Sequence, residues 1–295
     1  MNIVRMAFWV CMLLFIGAVS TVAAPASMPE ALAWRTLEPG LELVRVAVAK
    51  QPDADGGAVG IEVEQPVVFV GALPKATILV LRIDPVLFGF SLHMASESGA
   101  RSLASVGKGE NLVAAINAGM YLPDHSTSTG YLRSGTHTNN PHLASGYGAF
   151  FVANPKEGVL PPALLLDRNK DDWQTSIHKY DLVMQNYRMT TADGRIIWKQ
   201  PNRTYSIAAL SQDAEGRVLF FLCATPVPAL NFITTVLALP LGAKSLMYLE
   251  GGSEAALLIR AGDMDMVETG RHPSGLWGGS SNLLLPNVLG VWRRK

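Results

Sequence analysis

Short apolar runs separated by Gly, Pro and polar clusters dominate the chain. Leu43, Arg45 and Ala47 alternate with Val44, Val46 and Val48, which predicts strand structure within residues 27–50. Ala76-Thr-Ile-Leu-Val-Leu-Arg-Ile83 predicts a strand ended by Asp84-Pro85, and Phe88 to Met94 predicts its neighbour. Leu112-Val-Ala-Ala-Ile-Asn117 is unbroken, the pattern of a strand buried on both faces. Further strands are expected at Gly148–Ala153, Ile196–Trp198 and Leu246–Leu249. Ser206–Leu210 and Arg217–Ala224 flank Asp213-Ala-Glu-Gly216, a hairpin signal. Helical signals are fewer: Ser102–Val106, the start of Asp171–Gln185, and Pro228–Leu239 with Leu230, Ile233, Thr234 and Leu237 on one face. Gln51 to Gly57 reads as a loop.

One stretch breaks the pattern. Tyr121 to Tyr147 is rich in Ser, Thr, Asn, Gly and His, and a loop of that length inside a compact domain is usually functional or disordered. No repeat and no linker follows residue 60. The expectation is one α+β domain over 27–295, built on a mixed, largely antiparallel β-sheet core with a few helices packed against it.

The N-terminus changes the picture of where this domain works. Arg5, the apolar run Met6–Val19 and the small residues Ser20 to Ala26 have the order of a secretory signal over 1–26, with cleavage after Ala23 or Ala26. The run is short for a bilayer span, which needs about 20 residues. The expectation is a periplasmic or secreted protein without an integral membrane anchor after cleavage; an uncleaved anchor is the competing reading. Cys11 falls inside the signal, so Cys223 alone remains, in a strand-like run, and no disulfide framework is available. Basic and acidic residues balance at 24 each with no concentrated basic face, which excludes nucleic acid as a partner. Charged residues are 16% of the chain, below the usual quarter, as suits a sheet-rich protein with long loops.

Two segments are candidates for chemistry. In Ala115-Ile-Asn-Ala-Gly-Met-Tyr121 and Leu246-Met-Tyr-Leu-Glu-Gly-Gly-Ser253, an apolar strand runs straight into small and polar residues. A carboxylate at a buried strand end is desolvated, which raises its pKa toward the range useful in proton transfer. The glycines after it admit a close backbone approach. An ordinary Gly turn with a solvated Glu250 fits the same residues. His125, His137 and His142 share the polar stretch without zinc spacing. Asp263 and Asp265 read as a solvated turn before a cation site. Trp173, Tyr187, Trp198 and Trp277 are mostly core candidates, with a sugar-stacking platform among them as the alternative.

Taken in order, the motifs resemble the phosphodiester glycosidase family. Ile116-Asn-Ala-Gly-Met-Tyr121 is similar to its Asn-(Gly/Ala)-Gly-aromatic signature, and Gly146-Tyr-Gly-Ala-Phe-Phe151 to its Gly-x-Phe-Phe segment. Gln185 stands at its Gln-Ser-Gly-Pro turn, and Asn202-Arg203-Thr204 at its Arg-Thr strand. Tyr248-Leu-Glu-Gly-Gly-Ser253 is similar to its Leu-Asp-Gly-Gly-Gly-Ser, and Leu285–Gly290 to its closing strand. The resemblance covers residues 75–295. It departs at Glu250 in place of Asp, at Asn186-Tyr187-Arg188 in place of Ser-Gly-Pro, and at Ser206 in place of Gly.

The resemblance implies an exported hydrolase that cleaves a sugar-1-phosphate diester or related envelope glycan. Glu250 would serve as base or nucleophile, and Arg203 would neutralise the phosphate. Asn117 is the third catalytic candidate. Gln185, Gly119, Tyr121, Gly251, Gly252 and Ser253 would contact substrate. No cofactor or metal site is implied, although a divalent cation is compatible. The alternatives are a non-catalytic envelope polysaccharide-binding or assembly protein on the same scaffold, and an unrelated hydrolase using the 121–147 loop.

Overall fold

The computed structural model describes residues 32–48, 76–200, 202–271 and 282–295. The signal segment, the loop expected at Gln51–Gly57 and Trp277 lie outside these residues.

In chain order the strands and helices are β1 (Arg35–Glu38), β2 (Leu41–Ala47), β3 (Thr77–Ile83), β4 (Phe88–Met94), α1 (Ala95–Ser98), β5 (Arg101–Ser102), α2 (Leu103–Gly109), β6 (Ala114–Asn117), β7 (Leu132–Ser134) and β8 (His137–Asn140). There follow β9 (Ala149–Pro155), β10 (Ala163–Asp167), α3 (Trp173–Lys179), β11 (Tyr180–Asn186), β12 (Thr204–Gln212), β13 (Val218–Pro228), α4 (Ala229–Ala238) and β14 (Leu246–Gly251). A 3₁₀ turn (Gly252–Glu254), β15 (Ala256–Ala261), β16 (Met264–Thr269), β17 (Leu284–Leu285) and β18 (Asn287–Arg293) complete the order.

Three main sheets form, ordered β1-β2-β3-β13-β12-β14, β10-β9-β11-β7-β8 and β16-β15-β6-β18-β4. They enclose a shared core. The period-2 alternation sends Leu79, Leu81, Phe220, Leu222, Ala208, Leu210, Met247 and Leu249 of the first sheet into it, where they meet Ile116, Phe151, Met184 and Leu289 of the other two. The opposite face of the first sheet, with Val80, Phe221, Cys223, Ile207 and Tyr248, is covered by α4. Helix α2 caps the outer face of the β6 sheet and α3 that of the β9 sheet. Central strands are therefore buried on both sides, which is why they read as continuous apolar runs. Every strand pairing in these three sheets is antiparallel among the described residues. No helix among them is long and apolar enough to cross a membrane.

Three expectations need correction. Ile196–Trp198 forms no strand; a single bridge joins Thr190 to Ile196, and Ile196 and Trp198 pack on the core beneath α4 without a ladder. The buried face of α4 is Ala229, Phe232, Ile233, Thr235 and Val236, with Leu230, Thr234 and Leu237 only partly buried. Phe232 turns it, because its ring packs edge-on against Phe221 at 6.4 Å. The polar stretch 121–147 is not one loop: it contains the β7–β8 hairpin at the edge of a sheet, where Thr and His need no apolar contacts.

Candidate active site

The strand ends β6, β11 and β14, one from each main sheet, converge beside a cavity of about 900 Å³. Its walls include Glu250, Gly251 and Gly252 from the end of β14, Tyr248 and Tyr205, Arg203 at the entry to β12, and Tyr187, Arg188 and Trp198. After β11 the chain crosses to the edge of β14. The N–H of Tyr248 donates to the carbonyl of Tyr187, Met189 donates to Leu246, and Arg188 bridges Met247. This joint ties two sheets together at the cavity.

Glu250 sits at an irregularity. Its register partner on β12 is Ala208, whereas Tyr248 pairs with Ala209, so Leu249 is the extra residue of a bulge. Tyr248 and Glu250 both face the cavity while Leu249 enters the shared core. Burial pushes the Glu250 carboxyl up to about 7, against the Gly251 N–H donated to its Oε1 at 3.0 Å, with the nearby Glu254 carboxylate adding to the rise. The Tyr248 and Tyr205 hydroxyls are pushed up, chiefly by burial. A Cβ on Gly251 would lie 2.5 Å from the Tyr248 hydroxyl and 3.1 Å from the Ser206 carbonyl, so only glycine fits between them.

Aromatic rings line the cavity: Tyr187 and Trp198 are 6.1 Å apart by centroid, and Trp198 and Tyr248 4.9 Å, with Tyr147 packed behind Tyr187 at 4.2 Å. The Trp198 indole N–H donates to the Tyr205 hydroxyl at 2.8 Å. Of the aromatics singled out in the sequence, Tyr187 and Trp198 reach the cavity. Trp173 instead stacks on Phe150 at 4.7 Å in the cluster under α3.

The remaining expected site residues divide. Arg203 is exposed at the cavity wall, with its guanidinium donating to the Gln200 amide oxygen at 3.1 Å. Gly252 lines the cavity with a φ of 68°. Ser253 donates to Glu254 Oε2 at 2.9 Å. Tyr121 is part-buried, with its hydroxyl pushed up by burial and then by the Glu254 and Glu250 carboxylates, which places it in the field of both.

Asn117, Gly119 and Gln185 lie behind the wall. Asn117 is buried; its Oδ1 accepts the Ala256 N–H at 3.2 Å, and its Nδ2 has no partner among the described residues. Gly119, at φ 94°, lies beneath the Asn186 amide. Gln185 is saturated by its own chain: Oε1 accepts from the N–H groups of Tyr131 and Ala144, and Nε2 donates to the carbonyls of Ala144 and Tyr147. It holds the 144–147 loop rather than projecting into the cavity.

Sequence reasoning missed Arg168, Asn169, Arg188 and Lys199, which also line the cavity. Arg188 is ion-paired with buried Asp167. Burial works to raise the Asp167 pKa, but the Arg188 hydrogen bond and the N–H groups of Asn169 and Ala192 outweigh it and hold the carboxyl below the usual range. Arg188 could have been found from its sequence signal, a cation in place of the proline of an expected turn.

Among the described residues no group of three or more His, Cys, Asp or Glu side chains gathers to hold a metal. Asp263 faces Arg35, and Asp265 is 3.5 Å from Arg260. His137 contacts the Ser96 hydroxyl at 2.9 Å, and His125 packs against Tyr121 at 5.2 Å between centroids.

Among solved structures, the chain is similar to the catalytic domain of zebrafish N-acetylglucosamine-1-phosphodiester alpha-N-acetylglucosaminidase auto-inhibited by its pro-peptide. That match has 13% identity and a TM-score of 0.57, over 90% of this chain and 87% of that one. It is also similar to a hypothetical protein from Synechocystis, at 13% identity and a TM-score of 0.54, over 92% of this chain and 64% of that one. At such identities these likenesses establish the shared fold. No curated protein matches the sequence. A family model described as phosphodiester glycosidase matches residues 110–292, a span that begins just before β6 and holds all three converging strand ends. A match over that much of the chain settles the family: this protein belongs to the phosphodiester glycosidases.

Proposed function

We propose that the protein hydrolyses a sugar-1-phosphate diester, with Glu250 as the general base. The observation that carries this reading is one carboxyl pushed up to about 7 by burial, facing the same cavity as Arg203. The bond to be cleaved joins the anomeric carbon to a phosphate oxygen, through an oxocarbenium-like transition state. Water adds its oxygen to that carbon and gives its proton to the Glu250 carboxylate. The C–O bond breaks, and its electron pair leaves with the phosphate as a monoester. That leaving group is already stable and needs charge neutralisation, which the Arg203 guanidinium supplies. Tyr187 and Trp198 offer apolar faces for the sugar. Asn117, Gly119 and Gln185 frame the site from behind, while Gly251 and Gly252 keep the backbone low beside Glu250.

The N-terminal signal pattern supports action outside the cytoplasm, in the periplasm or beyond the cell, on a phosphate-linked envelope glycan. N-terminal sequencing of the chain recovered from outside the cytoplasm is expected to start after Ala23 or Ala26. The catalytic reading is tested with aryl sugar-phosphate diesters and the purified mature chain. Turnover that rises with pH through about 7 is expected; a Glu250→Gln protein as fast as wild type would remove Glu250 from the mechanism. Tight saccharide binding without turnover on any diester would favour a binding protein on the same scaffold.

A further inference from the structure

The cavity carries more positive charge than one phosphodiester can use. Its lining holds Arg168, Arg188, Lys199 and Arg203 against a single carboxylate, Glu250. Among the described residues, only Arg188 is offset, by Asp167. Among the described residues Arg168 donates to the backbone carbonyls of the 144–147 loop and Arg203 to a neutral amide. A phosphodiester brings one negative charge.

The cations come from two separate stretches of the chain. Arg203 and Lys199 belong to the segment entering β12. Arg168 and Arg188 belong to the end of β10 and the joint after β11. The aromatic residues Tyr187, Trp198 and Tyr248 line the same cavity, and Tyr147, whose carbonyl Arg168 holds, packs against Tyr187. At about 900 Å³ the cavity is at the upper end of the range of about 300–1,000 Å³ for small-molecule sites, more room than one sugar phosphate fills.

The Arg168 wall is also rigid. Gly148 lacks the Cβ that would overlap the Arg188 guanidinium, so Arg188 passes directly over its backbone. Asp167 anchors Arg188 through Oδ1, which also takes the Asn169 N–H at 2.8 Å, while Oδ2 takes the Ala192 N–H at 2.9 Å. Arg168 holds the Ala144 carbonyl at 2.8 Å and lies 5.0 Å from the Trp173 ring centroid. Donors fixed in this way meet an anion with little reorganisation.

We infer that Arg168, Asn169 and Arg188 form a second anion subsite, so that the substrate is a saccharide with two phosphates, such as two repeats of a glycosyl-phosphate polymer cut between them. This rests on the reading of Glu250 as the point of cleavage. The sugar between the two phosphates lies along Tyr187 and Trp198, and the second phosphate meets Arg168.

Calorimetric binding to the full mature chain tests the subsite without needing turnover. One probe is a hexose-1-phosphate methyl diester; the other is the same diester with a second phosphate on the far side of the same hexose. Wild type is expected to prefer the second probe by tenfold or more, with a steeper loss on adding salt. Arg168→Gln, which keeps an amide donor for the loop carbonyls, and Asn169→Asp, which puts a negative charge at an exposed position, are each expected to cut that preference at least fivefold. Circular dichroism melts would verify folding. Equal binding of the two probes by wild type, binding of neither, or a preference that survives both substitutions would overturn the subsite. Failure to hydrolyse either probe, with the preference intact, would count against the glycosidase reading alone.

Discussion

Two strand ends that look alike in the sequence behave differently in the fold. β6 runs into Asn117-Ala-Gly119 and β14 into Glu250-Gly-Gly252, each an apolar strand meeting small and polar residues. The β6 end is closed over by its own chain: Ala256 occupies Asn117 Oδ1, and the Asn186 amide sits on Gly119. The β14 end opens into the cavity, and among the described residues its carboxylate is bonded only by the Gly251 N–H next to it. The same local pattern can therefore build a frame or present a reactive group. What decides is whether a neighbouring strand end covers it, and that is a tertiary property.

The sharpest break between the two ends should appear in catalysis. Glu250→Gln is expected to lower kcat by about 10²–10⁴, the usual contribution of a positioned acid or base. Asn117→Ala should change kcat less than tenfold once the folded fraction is accounted for. Steady-state kinetics on an aryl sugar-phosphate diester measures both; equal losses would erase the distinction between frame and reactive group.

Stability should separate them in the opposite direction. Unfolded Glu250 loses its proton near 4.5, whereas in the folded protein it keeps it to about 7. The folded state binds more protons in that window, so this group's contribution to stability falls as pH rises from 4.5 to 7. Gln keeps the Gly251 hydrogen bond and carries no charge. Glu250→Gln should match wild type near pH 4 and exceed it above pH 7 by about 2–3 kcal/mol, read from urea midpoints. A variant less stable than wild type at pH 8 would show that the buried carboxylate is not costly.

Much of this was legible in the residues. Continuous apolar runs identified β3, β6, β13 and β14 because both of their faces are buried, and Asp213–Gly216 marked the β12–β13 hairpin. β8 was hidden because an edge strand needs no apolar pattern, and β7 because it is only three residues long. Glu250 stood out as a carboxylate directly after the apolar run Leu246-Met-Tyr-Leu, but a solvated turn fitted the same residues, and only the fold shows that it is buried. Arg168 and Asn169 did not: they follow β10, and only the fold brings the end of β10 across from β14. Gln185, expected as a substrate contact, lies next to the joint instead, and its amide is spent on holding 144–147.

The β6 end can be tested on its own. Gly119 has a φ of 94°, and a Cβ there would lie 2.8 Å from Asn186 Nδ2. That amide cannot swing away freely, since Nδ2 donates to the Leu249 carbonyl and Oδ1 accepts the Tyr187 N–H. Gly119→Ala should cost about 2 kcal/mol in backbone strain and displaced hydrogen bonding. The displaced Asn186 would shift Tyr187 and Leu249, the neighbours of the cavity wall, so KM should rise as well. A Gly119→Ala protein with wild-type stability would mean that the β6 end is not a tight joint.

Asn117→Ala gives the smallest effect, and its size is informative. The substitution leaves the Ala256 N–H buried without its acceptor, a loss of about 1–3 kcal/mol. It also removes Nδ2, which is already buried without a partner among the described residues, and so relieves part of that cost. The net loss should fall near the low end, about 1 kcal/mol, and be measurable as a shift in the denaturation midpoint. If Nδ2 instead meets substrate through a rearrangement of the wall, Asn117→Ala will lower kcat/KM tenfold or more with little change in stability. The β6 end would then belong with β14 as part of the reactive surface, and the contrast between the two strand ends would fail.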